Sequence, residues 1–114
     1  MSITIHIYYT GNEPGAAAAF AAEMERQGIA DRIRQEPGNL QYAYFSPLRD
    51  ASTVLLIDSW LDQAALDQHH ASPMMAEIAA LRERYDLHMK VKRFVSAEAE
   101  RGDEQFIRQE KTAK

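Results

Sequence analysis

The sequence predicts an α+β domain in which one antiparallel sheet carries helices on one of its faces. Four segments, residues 3–10, 39–45, 53–60 and 86–95, have the alternating or continuously apolar character of strands. The segments between them place apolar residues at helical spacing. The resulting order is β-α-β-β-α-β, with the second crossover split into two helices. This is the ferredoxin-like arrangement.

The first strand shows the side-chain period of two residues that is typical of strands, and the first helix shows the period of about 3.6 residues that is typical of helices. Ile3, Ile5 and Ile7 fall on one face of the strand, because successive side chains of a strand point to opposite faces. The other face of this strand carries Thr4, His6 and Tyr8. The helix that begins near Ala16 has an apolar stripe made of Ala17, Phe20, Ala21 and Met24. Its charged residues, Glu23 among them, are expected to face water.

The second and third strands differ in how much burial they predict. In the second, Leu40, Tyr42 and Tyr44 are expected to share a face. In the third, residues 54–57 are apolar without alternation, which indicates burial on both faces. Helices in so small a domain cover only one face of the sheet. The other face therefore needs a partner, and a second copy of the chain is the simplest candidate.

The split crossover has two helix start signals. Asp62 is placed to cap a short helix that ends at the histidine pair, and Ser72 with Pro73 starts the next helix. One face of this last helix consists of Met74, Met75, Ile78, Leu81 and Tyr85. Methionines at this spacing favour core packing over a cofactor-binding role.

Bulk composition excludes several classes of function. A chain of 114 residues predicts a single domain with a small core. The net charge is −4 and no stripe of Lys and Arg is present, so a nucleic-acid partner is not expected. The absence of cysteine excludes disulfides and thiolate metal sites. Neither a signal peptide nor a membrane-spanning run is visible, and a cytoplasmic protein is expected.

The adjacent residues His69 and His70 raise the question of a metal site. Neighbouring residues on a helix diverge by about 100°, so the pair is poorly placed to bind one ion. No recognised metal-binding spacing is present either, and no metal is expected. His69 follows the apolar face of its helix, whereas His70 follows a polar face. Two interpretations of His69 stay open: a half-buried cap of the last helical turn, or an acid-base group in a pocket.

Other residues near the histidines also allow two interpretations. Trp60 fits the core as well as a site, because large aromatic residues usually pack in the interior. Asp58 shares its strand face, and a carboxylate at the end of so apolar a strand requires a partner. Tyr42 and Tyr44 fit either a pocket wall or packing.

Three segments together resemble a known family. They are GNLQY (38–42), LLIDSW (55–60) and ALDQHHASPMM (65–75). They are similar to the antibiotic biosynthesis monooxygenase domain, and most of all to the bacterial quinol monooxygenases in that family. The matching positions are Gly38, Tyr42, Trp60, Ala65, Leu66, His69, Ser72 and Pro73. The resemblance covers residues 2 to 95 and predicts a domain over 1–95 with a polar tail over 96–114.

The sequence also departs from this family. Asp58 stands where the family usually has Glu, which shortens the reach of the carboxylate. His70 replaces an apolar residue, and Met74 replaces a second histidine. Heme-degrading relatives carry Trp at the position of His69 and a heme-ligating His at that of Ala79. Heme cleavage is therefore not expected.

The resemblance implies a homodimer whose two sheets pack into an α+β barrel. It also implies oxidation of a small electron-rich aromatic substrate, such as a quinol, by O2 without a cofactor. His69 and Trp60 would then be catalytic. The substrate would be bound by Tyr42, Tyr44, Asp58, Met74 and Ile78. The alternative is a non-catalytic dimeric module on the same fold, which binds a small ligand or acts in stress, because fold does not fix activity.

Overall fold

A computed structural model describes residues 1–98 and 101–108. It contains four strands and four α-helices in the predicted order. The strands are β1 (Ile3–Gly11), β2 (Asn39–Phe45), β3 (Thr53–Trp60) and β4 (Leu87–Val95). The helices are α1 (Ala16–Arg26), α2 (Ile29–Arg34), α3 (Gln63–His70) and α4 (Met74–Arg84). The α+β class and the βαββαβ arrangement are confirmed.

All strand pairs in the sheet are antiparallel, and the strand order is β2-β3-β1-β4. The register places Ile3 opposite Trp60, Ile5 opposite Asp58 and Ile7 opposite Leu56. Because strand side chains alternate, these residues lie on one face of the sheet. The helices cover that face over β1, β2 and β3, whereas Met89, Val91 and Val95 of β4 stay exposed on it. The largest fully buried side chains are Trp60, Tyr9, Phe20, Met24, Ile29, Ile33, Leu56 and Leu66.

A bulge near the start of β2 changes its alternation. Asn39 pairs with Trp60 and Gln41 with Ser59, so two steps along β2 match one step along β3. Leu40 falls at this irregularity and is 56% exposed, whereas Tyr42 is buried. The expectation that Leu40 packs with Tyr42 and Tyr44 is therefore wrong, because the extra residue breaks the period of two.

Glu23 of α1 is buried, and the expectation that it faces water is wrong. The Tyr85 hydroxyl and the Arg84 guanidinium donate to its carboxylate, and Gln27 donates from the next turn. The hydrogen bonds from Tyr85 and Arg84 lower the pKa of Glu23. The residue joins α1 to the end of α4. Its partners are about sixty positions away in the chain, so the local pattern carries no sign of them.

The second face of the sheet carries apolar and aromatic side chains in partly exposed positions. His6 packs against Phe94 with ring centroids 4.7 Å apart, and Phe94 and Phe45 are each 45% exposed. Leu55 and Ile57 are only half-buried, in contrast to Val54 and Leu56 on the helix-covered face. Full burial of residues 54–57 on both faces requires a further layer of protein packed on this second face of the sheet. The homodimer stays a prediction.

The segment after β4 includes a short 3-10 helix, Arg101–Phe106. Phe106 is 84% exposed. The division into a domain over 1–95 and a tail over 96–114 stays a prediction, and residues 99–100 and 109–114 of that tail lie outside the described residues. Among the helices that are described, none is both long and apolar enough to cross a membrane.

Candidate functional site

The two terminal histidines of α3 differ in burial, although their ring centroids lie only 5.7 Å apart. The Asp62 carboxylate accepts a hydrogen bond from the Ala65 backbone N–H at 2.9 Å and caps the helix, as predicted. His69 is buried, with 3% of its surface exposed, while His70 is exposed. Within residues 1–98 and 101–108, no group of three or more His, Asp or Glu side chains is arranged to hold a metal ion.

His69 lies between an aromatic ring and a carboxylate. Its imidazole stacks on the Trp60 indole, with ring centroids 4.7 Å apart and planes inclined by 24°. Its Nδ1 lies 3.2 Å from each carboxylate oxygen of Glu36. His69 is therefore fully buried rather than half-buried, and a carboxylate lies beside its Nδ1.

Asp58 is the second buried carboxylate of this region. The Trp60 indole N–H donates to its Oδ1 at 2.6 Å. Burial raises the pKa of Asp58 to about 7 and the charge of Glu36 adds to the rise, while the hydrogen bond from Trp60 opposes it. The predicted partner of this carboxylate is thus the indole two residues away. Glu36, His69, Trp60 and Asp58 form a continuous row, which we call the His69–Asp58 row.

Three tyrosines lie beside this row. The Tyr42 ring meets the His69 ring edge to face at 6.5 Å, and the Tyr44 hydroxyl donates to the Tyr42 hydroxyl at 3.4 Å. Burial raises the pKa of Tyr9 to about 12 and also raises the pKa values of Tyr42 and Tyr44. These phenols therefore stay protonated at neutral pH. They can donate hydrogen bonds but do not act as bases, which leaves His69 and Asp58 for proton transfer.

Helix α4 contributes the last two predicted site residues to the core around the row. Ile78 is buried in the same apolar cluster as Trp60 and Tyr42, and Met74 is partly buried at its margin. The Ser72 hydroxyl accepts from the Met74 backbone N–H at 3.1 Å. Ser72 thus marks the helix start as predicted, but the helix begins at Met74, so that Pro73 occupies the cap position and not the first helical position.

Gly38 explains how β2 approaches α3 so closely. Its φ of 83° is in the left-handed region, and a Cβ at this position would lie 2.5 Å from the Ala65 Cβ. Its carbonyl accepts from the Leu61 backbone N–H at 2.8 Å. The absence of a side chain at Gly38 therefore lets the start of β2 pack closely against α3.

The His69–Asp58 row lies in packed interior. Cavities of about 610 Å³ and 370 Å³ open elsewhere on the described part of the chain. The larger one is next to Pro14 and Tyr85, and the smaller one is next to Tyr8 and Lys92 on the uncovered sheet face. Neither is lined by His69, Trp60 or Asp58.

Two members of this region were not predicted from the sequence. Glu36 stands in the turn after α2, next to Pro37, where a carboxylate has no local signal of a partner. Tyr9 shares the face of Ile5 and Ile7 by simple alternation along β1, so the period of two places it in the core. Its position could have been predicted. That of Glu36 could not, because its contact joins α2 to α3.

The sequence of residues 2–81 matches the family model named antibiotic biosynthesis monooxygenase. This match spans most of the chain, and the protein belongs to that family. No curated protein matches the sequence significantly.

Solved structures share the fold. One is a protein from Deinococcus radiodurans proposed to be an antibiotic biosynthesis monooxygenase, with 23% identity and a TM-score of 0.73 over 87% of this chain and 95% of that one. Another is a mutant of SnoaB, a cofactor-independent oxygenase from Streptomyces nogalater, with 17% identity and a TM-score of 0.72 over 86% and 95% of the two chains. PA3566 from Pseudomonas aeruginosa is 24% identical, with a TM-score of 0.65 over 86% and 97%.

Proposed function

We propose that the protein oxidises a small electron-rich aromatic compound, such as a quinol, with O2 and without a cofactor. The observation that carries this proposal is the buried His69–Asp58 row, in which an imidazole and a carboxyl with a pKa of about 7 lie on either side of Trp60. Acid-base groups with a pKa near the operating pH are the most effective in proton transfer. Family membership and the likeness to SnoaB support a monooxygenase type of function.

The chemistry needs little from the protein beyond binding and proton transfer. Loss of a phenolic proton makes the aromatic ring itself a strong reductant. In an oxidase reaction, a quinol passes two electrons and two protons to O2 and gives a quinone and H2O2. In a monooxygenase reaction at an activated CH2 group, one oxygen atom becomes the new carbonyl, and the other leaves as water with the two hydrogen atoms.

The roles of the residues follow from their chemistry. His69 removes the phenolic proton, and Trp60 holds the imidazole in place by stacking. Tyr42 and Tyr44 donate to oxygen atoms of the substrate, and Met74 and Ile78 border its apolar part. Asp58 accepts or returns a proton near neutral pH. In this proposal it takes the place of the histidine that relatives carry at the position of Met74.

Substrate entry requires side chains to move, because Tyr42, Trp60 and His69 are buried. Met74 and Tyr44 are two of the seven partly buried residues that pack against the cluster. Methionine changes conformation at little cost because it is unbranched. We place the entry between these two side chains.

We also propose that two protomers pair through the uncovered sheet face into an α+β barrel. The partly exposed Leu55, Ile57, Phe45 and Phe94 would form the centre of that interface. Pairing of this kind covers the apolar side chains that the helices leave open.

The activity can be tested with purified protein, menadiol and an oxygen electrode. We expect oxygen uptake that is faster than autoxidation, is proportional to protein concentration and persists after extensive chelator treatment. Adding catalase returns half of the consumed oxygen if the product is H2O2 and none if it is water. Uptake equal to that of heat-denatured protein would refute the proposal.

A second candidate function is that of a non-catalytic ligand-binding module. The observation that favours it is that His69 lies in packed interior. Neither of the two cavities described above is lined by this residue. Trp60 is the only tryptophan of the chain, so its fluorescence reports on this site alone. Quenching by menadione without oxygen uptake from menadiol would support the second candidate over the first.

A further inference from the structure

We infer that Glu36 is a positioning residue that holds His69 in the tautomer with its proton on Nδ1, so that Nε2 is the atom that accepts a proton. The inference rests on the proposed function for its catalytic meaning, but its structural content can be tested alone. Both oxygens of the Glu36 carboxylate lie 3.2 Å from Nδ1. No other contact of Glu36 with a ring or a cation is found among the described residues.

The backbone around Glu36 is fixed on both sides. Its N–H donates to the Ile33 carbonyl at 3.0 Å, and its own carbonyl accepts from the Asn39 N–H at 3.1 Å. Only 16% of its side chain is exposed, and 4% of that of His69. A carboxylate held in this way is aimed at the imidazole rather than at solvent.

The chemistry of the two groups determines the tautomer. An ionised carboxylate can only accept hydrogen bonds, so the atom that faces it must be a donor. In the uncharged imidazole one nitrogen donates and the other accepts. With the proton on Nδ1, the lone pair is on Nε2. This is the less common tautomer of free histidine, and a carboxylate partner is a known means of selecting it.

The other ring nitrogen has no partner among the described residues. No hydrogen bond of His69 Nε2 is found on the described part of the chain, where every fully buried side-chain nitrogen and oxygen has one. Nε2 is therefore the nitrogen that can accept a proton. Because only 4% of the His69 side chain is exposed, a substrate hydroxyl can reach this atom only after neighbouring side chains move.

The tautomer can be read directly by NMR of protein labelled with ¹⁵N in histidine, at a pH high enough for the ring to be uncharged. The chain has four histidines, and the signals of His69 are those lost in His69→Gln. We expect wild type to show the proton on Nδ1. Glu36→Met keeps the side-chain length but removes the acceptor, and it should shift the proton to Nε2. Glu36→Gln still offers a carbonyl oxygen and should retain the Nδ1 proton.

A wild-type spectrum with the proton on Nε2 would overturn the inference, even if the Met variant does not fold. An unchanged tautomer in a folded Glu36→Met variant would also overturn it. Activity gives an independent arm: Glu36→Met should lower kcat at least tenfold with little change in KM, and Glu36→Gln should restore much of it. If the tautomer is as expected but no variant consumes oxygen, the proposed function fails and the role of Glu36 stands.

Discussion

The indole N–H of Trp60 donates to the carboxylate of Asp58 at 2.6 Å, although both side chains are buried at the end of the same strand. One indole hydrogen bond does not replace the hydration of a charge. The pKa of Asp58 therefore rises to about 7. A carboxyl group that titrates near neutral pH inside the protein has consequences for stability as well as for chemistry.

Asp58→Asn should stabilise the protein at pH 8 but have little effect at acidic pH. The folded pKa of about 7 lies above the ordinary value of 3.8, so the folded state holds a proton that the unfolded state has lost. Wild-type stability therefore falls as the pH rises from about 4 to about 7. The cost of ionising the group in the folded state is on the order of 4 kcal/mol. The asparagine avoids it and keeps an oxygen for Trp60.

Urea unfolding at pH 5 and at pH 8, at one protein concentration, checks this prediction. The exposed Asp67 of α3 provides the control, since Asp67→Asn removes a carboxyl without burial. Equal destabilisation by Asp58→Asn at both pH values would mean that Asp58 is not held as a neutral acid.

Gly38→Ala should destabilise the protein much more than Gly28→Ala. Both glycines have φ in the left-handed region, at 83° and 76°, and the backbone cost of about 1–2 kcal/mol is common to both. A Cβ at Gly28 meets nothing within 4 Å, whereas at Gly38 it meets the Ala65 Cβ at 2.5 Å. Overpacking of this kind adds about 1–3 kcal/mol.

The difference between the two variants in free energy of unfolding isolates the contact between Gly38 and α3. We also expect the fluorescence emission of Trp60 to change in Gly38→Ala but not in Gly28→Ala. The reason is that α3 carries the His69 ring, which stacks on Trp60. If both alanine variants lose the same stability, the close approach of β2 to α3 is wrong.

Ile57→Glu should convert a dimer to a monomer. Ile57 pairs with His6 and Ala43 at the centre of the uncovered sheet face, and a carboxylate there cannot be buried without a partner. Leu48→Glu is the control, since Leu48 is fully exposed and lies in the loop between β2 and β3. Sedimentation velocity should give a dimer for wild type and for Leu48→Glu. A wild-type monomer, or a dimeric Ile57→Glu, would contradict this use of the face.

The sequence allowed prediction of the fold because each element has its own period. The sequences of β1 and β4 alternate between apolar and polar residues, Asp62 caps α3 as expected, and His69 is buried while His70 is exposed. Leu40 was placed wrongly because a bulge inserts a residue that no local signal announces. An alternating sequence pattern does not show where a bulge interrupts the alternation of side chains in the strand.

The site was predictable only as far as local patterns reach. Asp58, Trp60 and His69 come from segments close together in the chain, and the structure brings them into one row. Their roles in catalysis stay predictions. Glu36 is not predicted as part of the site because its partner, His69, lies 33 positions away in the chain. Glu23 is wrongly predicted to face water because its partners, Arg84 and Tyr85, lie 61 and 62 positions away. A charge that is buried through long-range pairs looks like any surface charge in the sequence.

The most direct test of the central claim compares two neighbouring residues, one buried in the row and one exposed. Oxygen uptake with menadiol is measured for wild type, His69→Gln and His70→Gln, after circular dichroism has shown that each is folded. We expect His69→Gln to lose about 100-fold or more in rate, the usual contribution of a general base, and His70→Gln to match wild type. Equal rates for His69→Gln and wild type would contradict the claim that His69 carries the reaction.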